Sequence, residues 1–351
     1  MSTRLLGKSA LLLTLALLAH SALAQYKRID LVSTSSSKTP HNDPHLINGW
    51  GIAFFPGNPY WISDNITGVS TLYDRFGNVK SLVVTIPPAP SQPFGPTGSP
   101  TGIIANPTSG FVVTENGVSG PSAFVFATED GTISGWAPTV NATNAIIAVD
   151  NSASMALYTG LAFAQTGPHA LIYAADAVNN KIDIYNSNFK LVKSFSDPSP
   201  PAGLSVYGVQ NLNGKIYVTY ASPTPLQGGA VDVFGTKGNF IKRLATNAPG
   251  GPLEGAWGMV ISPSNFGPLS NALLVGNVDN GQINAFDPNT GAFLGTMMDR
   301  DGNTIHIGGL WGLVFGAGDQ VTGAKNHLFF SSGPDNYARG KFGKILPPSG
   351  D

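Results

Sequence analysis

One glycine, met six times at nearly equal intervals, limits what this chain can fold into. Gly51, Gly102, Gly160, Gly208, Gly258 and Gly312 each open or sit within a short apolar run: "GWGIAF", "PTGIIA", "YTGLAF", "VYGVQN", "AWGMVI" and "LWGLVF". The steps between them are 51, 58, 48, 50 and 54 residues. A period of this length marks a repeat architecture, in which one supersecondary unit recurs and buries its faces against its neighbours.

Each unit continues in the same way. A second apolar run follows the first: "YWISD", "FVVTE", "LIYAAD", "IYVTY", "LLVGN", "LFFSS". A third comes next: "STLYD", "AFVFAT", "KIDIYN", "AVDVFG", "QINAFD", "GKFGKI". Turn signatures such as "RFGN", "EDGT" and "DPNTG" lead to a fourth in most copies, with Gly, Asn or Asp where the backbone needs positive φ. Four short antiparallel strands at this period make a propeller blade. The first runs are almost continuously apolar, as expected of sheets packed on both faces. The repeated glycine belongs where inner strands crowd toward the axis. The expected fold is all-β, a six-bladed β-propeller. The sixth unit stops after its third strand, and "YKRIDLVST" (Tyr26–Thr34) has no blade of its own. It therefore supplies the missing strand and closes the ring, which removes an exposed edge. With no cysteine in the chain, closure takes the place of a disulfide staple.

Residues 1–24 read as a secretory signal peptide: Arg4 and Lys8, an apolar run, then small residues up to Ala24. Residues 25–351 are expected to form one exported, monomeric domain, periplasmic or extracellular, with no membrane span. Without Arg4 and Lys8 the 19 basic residues become 17, against 20 acidic ones, a net charge of −3. Nothing in that balance argues for nucleic acid, which requires a basic face. A small molecule, a glycan or an extracellular protein is the expected kind of partner.

The stretches "PYWISDNITGVSTLYD", "FATEDGTISGW", "LLVGNVDNGQINAFDPNTG" and "GLWGLVFG" resemble an uncharacterised family of secreted bacterial six-bladed propellers of the NHL type. More distantly the chain is similar to gluconolactonase-like propellers and streptogramin lyases. The resemblance implies fold and export, and it assigns no site residue.

Two residue sets fall on the face where loops surround the axis, which is where propeller sites concentrate. The ends of the second strands give Asp64, Glu115, Asp176 and Asn277, alongside Tyr220 and Ser332. Oxygen ligands converging there would suit Ca²⁺ or Mg²⁺; the same acids also read as caps of their own turns. The lead-in loops give His41, Asp43, His45 and Asn48, then Glu254 and His306, beside Trp50, Trp257 and Trp311. These could bind a ligand, or serve as solvated loop residues and wedges between blades. No nucleophile elbow, zinc-protease motif or phosphate loop is present. Two functions remain open on the sequence. One is a binding or scaffold module with its ligand at the funnel mouth. The other is a divalent-cation-dependent enzyme of the lactonase or lyase kind, using the same mouth.

Overall fold

The computed structural model describes residues 26–35, 38–90 and 95–348. The expected signal peptide lies outside the described residues. Among them, sheets account for nearly all regular structure, and helix is confined to 3₁₀ turns at Ser152–Ser154 and Gly267–Leu269. No helix among the described residues is long and apolar enough to cross a membrane.

Six sheets of four or five strands form the blades, and each runs from an inner to an outer strand. Blade one is Gly49–Ala53, Tyr60–Asp64, Val69–Tyr73 and Val84–Thr85. Blade three is Tyr158–Thr166, His169–Asp176, Lys181–Asn186 and Leu191–Phe195. Blade four is Ser205–Leu212, Lys215–Ala221, Gly229–Gly235 and Phe240–Asn247. Blade five is Ala256–Ile261, Leu273–Asn277, Ile283–Phe286 and Phe293–Thr296.

Blade six confirms the expected closure. Its strands Leu310–Phe315, Leu328–Ser332 and Lys341–Leu346 are completed by Lys27–Ser33, with Lys27 opposite Leu346 and Ser33 opposite Lys341. Tyr26, 2% exposed, packs on Phe266, and its hydroxyl donates to Phe266 O at 2.8 Å. The N-terminal strand is thus tied to blade five as well as to its own sheet. A short strand, His41–Asn42, adds to its outer edge in parallel.

Blade two corrects the sequence reading. Its strands are Pro100–Ala105, Phe124–Thr128, Thr132–Trp136 and Ile146–Asp150. The run "FVVTE", expected as the second strand, instead forms an inserted hairpin, Val112–Glu115 with Val118–Pro121. Both runs are apolar and of strand length, so periodicity could not choose between them. Burial could: Phe124–Thr128 is buried throughout, whereas Val112 is exposed.

The repeated glycines do what their spacing implies. A Cβ on Gly51 would run into Thr101 O, on Gly102 into Leu161 N, and on Gly160 onto Val209 N. On Gly208 it would meet Trp257 O, on Gly258 Trp311 O, and on Gly312 Trp50 O. Each glycine faces the next blade's inner backbone, and the sixth faces the first. Six apolar clusters fill the spaces between adjacent blades, from Trp61 with Phe124 between blades one and two to Phe329 with Tyr60 between six and one. Burial between blades, not within one sheet, is what holds the ring.

Candidate functional site: the funnel mouth

The residue just before each ring glycine stands one step nearer the mouth. In chain order these are Trp50, Thr101, Thr159, Tyr207, Trp257 and Trp311. The two threonines fasten neighbouring blades: Thr101 Oγ1 donates to Tyr158 O and Thr159 Oγ1 to Tyr207 O, both at 2.6 Å. The four aromatics gather in one cluster with Val278. Trp50 and Trp311 stack with ring centroids 3.6 Å apart, and Trp257 meets both edge-on at 6.3 and 5.9 Å. Trp257 Nε1 donates to Thr159 O and Trp311 Nε1 to Asn48 Oδ1, each at 2.8 Å. Trp50 Nε1 is buried with no hydrogen-bond partner among the described residues. Below this plug the axis narrows to a space of about 10 Å³ between the inner strands.

Above the plug lies a cavity of about 420 Å³. Its floor and one wall are Trp50 and Tyr207, and Tyr337 overhangs it. Thr159, Ala177, Val178, Ala221 and Ser222 form the side where blades three and four carry small residues. Large aromatics on blades one, four, five and six, against threonine on two and three, set the cavity off the axis. Tyr337 reaches it from a strained loop: Asp335, Asn336 and Tyr337 all have positive φ, at 57°, 53° and 66°. Three consecutive non-glycine residues in the left-handed region are costly, and such strain clusters at functional sites. Across the mouth, Leu226 also has positive φ (59°), and its N–H donates to Asp279 Oδ2 at 2.8 Å.

Two carboxylates line the cavity, Glu129 from blade two and Asp279 from blade five. Glu129 accepts a hydrogen bond from Asn65 Nδ2 at 2.9 Å. Burial pushes its carboxyl above the ordinary range; Asn65 opposes the shift and neighbouring Asp130 adds to it. Burial likewise raises Asp279, opposed by the Leu226 N–H and reinforced by Glu254. The hydroxyls of Tyr207 and Tyr337 are also pushed up, first by burial and then by charges that include both carboxylates.

The residues expected from the sequence are dispersed. Asp64, Asp176 and Asn277 are fully buried inside their own blades. Asp176 accepts the Leu157 and Asn179 N–H groups at 3.2 Å, and Asn277 Nδ2 donates to Pro252 O at 3.1 Å. Each ties a second strand to the loop leading into its blade. Asp64 has its carboxyl driven well above the ordinary range by burial; the Thr71 hydroxyl opposes this and Asp43 adds to it. Glu115 lies in the inserted hairpin, on the connection from first to second strand, and accepts from Asn141 Nδ2 at 2.8 Å. That connection is at the opposite end of the blade from the mouth. These four do not form one cation site, and no group of three or more His, Asp or Glu with metal-holding geometry occurs among the described residues.

The second expected set fares similarly. Asp43 is buried, accepting from Tyr73 OH at 3.0 Å and from His45 N at 2.9 Å, while the His45 side chain is half exposed. Glu254 is buried and accepts the Gly228 N–H at 2.9 Å. His306 is exposed on its loop, and His41 sits on the outer edge of blade six. Trp257 and Trp311 form the plug, and Trp50 reaches the cavity. Glu129, Asp279, Tyr207 and Tyr337 were not foreseen. Tyr207 had a visible signal, since it holds in blade four the place Trp holds in blades one, five and six. Glu129 was missed by parity: it follows Thr128, the last residue of its second strand, and neighbouring strand residues point to opposite sides. Asp279 was missed because it stands two residues beyond Asn277, in the turn, where strand alternation no longer applies.

No family model matches the chain. In fold it is similar to a streptogramin B lyase (TM-score 0.53, 12% identity, 92% of this chain and 97% of that one). It is also similar to a gluconolactonase-like propeller (TM-score 0.54, 10% identity, 92% of each chain). At these identities the likeness is one of fold. In sequence it is 29% identical to uncharacterized protein L690 of Acanthamoeba polyphaga mimivirus, over 93% of this chain and 87% of that protein. Uncharacterized protein R648 of the same virus is 31% identical over 340 residues, which is 92% of this chain and 81% of that protein. At that identity over that length, the chain belongs to the family of protein R648.

Proposed function

We propose that this protein is an exported ligand-binding propeller whose ligand seats in the cavity at the funnel mouth. The observation that carries the reading is the cavity itself, about 420 Å³. It is walled by aromatic rings, small residues and two carboxylates, and strained loops stand over it. Ligand pockets have this make-up: an apolar lining with a few placed polar groups. A second reading, a divalent-cation-dependent enzyme of the lactonase or lyase kind, is supported by Glu129 and Asp279. Carboxyls held above their ordinary range suit general acid or base work.

A thermal-shift screen with a metabolite library tests the first reading. A ligand bound to the folded state at hundredfold excess over its Kd stabilises by about 2.7 kcal/mol. Val178, 55% exposed on the cavity wall, offers a blocking variant that leaves the core alone. Hits on the parent should vanish in Val178→Trp. Hits that persist in Val178→Trp place binding elsewhere and defeat the reading. Turnover of a hit, dependent on calcium or magnesium, favours the enzyme.

A further inference from the structure

We infer that the mouth cavity takes a small organic ammonium cation; this rests on the binding reading above. The first ground is charge. Glu129 and Asp279 line the cavity, and among the described residues no Lys, Arg or His does. Neither acid has an ion-pair partner among the described residues. Two acids buried within blades, Asp183 and Asp232, are matched by Lys181 and Arg243. Burial holds both mouth carboxyls above their ordinary range, so an incoming cation would relieve a cost already present in the fold.

The second ground is the wall. Trp50, Tyr207 and Tyr337 line the same space. Two of these rings stand close and at an angle, Trp50 to Tyr207 at 6.5 Å and 69°. Angled aromatic faces attract a cation through their quadrupoles, most strongly where water is excluded, and quaternary ammonium groups are bound this way. Val178 and Pro223 supply apolar surface for the rest of such a ligand.

A metal ion fits this wall poorly. Glu129 and Asp279 come from blades two and five, which face each other across a ring of six. Aromatic and aliphatic groups make up much of the lining, and its other side-chain oxygens are neutral hydroxyls, on Thr159, Ser205, Ser222, Tyr207 and Tyr337. A hard cation needs six or more oxygens close around it. A charge spread over methyl groups needs none, and takes the rings as well as the distant carboxylates.

Isothermal titration with benzyltrimethylammonium, choline and the uncharged choline isostere 3,3-dimethylbutan-1-ol tests the assignment. Both cations should bind, and the isostere at least tenfold more weakly. Glu129→Gln and Asp279→Asn should each weaken cation binding roughly tenfold or more. Both variants keep an acceptor for the Asn65 and Leu226 donors, and their melting temperatures check the fold. Tyr207→Phe should retain binding and Tyr207→Leu should lose most of it, since the ring and not the hydroxyl is at work. Equal binding of choline and its isostere would overturn the cation assignment while leaving the binding reading intact. Absence of binding by both cations would overturn it too, and the library screen against Val178→Trp would still decide whether the cavity is a site. Calcium or magnesium binding abolished by Glu129→Gln would replace the organic cation with a metal.

Discussion

On each inner strand, two adjacent positions have been put to opposite uses. The glycine position is the same in all six blades, because every blade meets its neighbour's backbone there and a Cβ would clash or be tightly crowded. The position before it differs from blade to blade: Trp50, Thr101, Thr159, Tyr207, Trp257, Trp311. The first layer makes a ring, and the second breaks its symmetry. Large residues on one side and small ones on the other turn a plugged axis into an off-centre cavity. Uniformity at one level is what lets a single irregular layer above it be rigid enough to form a site.

The changes that should cost most attack the ring. Deleting Tyr26–Thr34 leaves blade six with three strands and an open edge, and removes Tyr26 from the core it shares with Phe266 and Leu310. Aggregation, or a melting temperature lower by roughly 10 °C or more, is expected. A truncated protein that melts like the parent would show that closure contributes little.

Trp50→Ala empties the middle of the plug. Trp50 is 4% exposed and stacked on Trp311, so a loss of about 3–5 kcal/mol is expected in urea unfolding. Gly258→Val sets a branched side chain against Trp311 O and Leu313, at a cost of about 1–3 kcal/mol or somewhat more, since backbone must shift. An unchanged midpoint for Gly258→Val would erase the distinction between the two layers.

Acid titration separates blade body from mouth more gently. In blade four, Asp232 is pushed up to about 6, by burial first; its bond to Arg243 lowers it and Asp197 raises it. Its native value lies above its unfolded one, so the folded state holds the proton more tightly. This group's contribution to stability is therefore greatest below about pH 4 and declines as pH rises through 6. Asp232→Asn should flatten that part of the profile. At the mouth, Glu129 faces Asp130, Tyr207 and Tyr337, and Asp279 faces Glu254 and the same tyrosines. Both acids are raised, so cation affinity should begin to fall on acidification while ordinary surface carboxylates are still ionised. An affinity constant down to pH 4 would contradict the role given to these two groups.

Sequence alone reached the ring but not the cavity, for a physical reason. The glycines, the blade count and the closing strand are repeated or complementary features, and repetition is visible without a structure. Blade two misled because its insertion, Val112–Pro121, is itself a pair of strand-like runs. The mouth depends on features that do not repeat. Asp64 and Asp176 looked like a set because they end equivalent strands, yet each is committed to its own blade. Glu129, beyond the end of its strand, looked like part of a turn. For Glu129, one residue of parity decided that it met the funnel. Tyr337 depends on three left-handed residues in a row, a conformation no local rule predicts for Asp-Asn-Tyr.

The division of labour between the two layers is tested most directly by the double variant Glu129→Gln, Asp279→Asn. Benzyltrimethylammonium affinity and the urea midpoint are measured on the same preparation. Cation binding should be lost while stability stays within about 0.5 kcal/mol of the parent or rises, because two half-buried carboxylates without ion-pair partners have been removed. A midpoint that falls by several kcal/mol, or a cation that still binds as tightly as before, would contradict it.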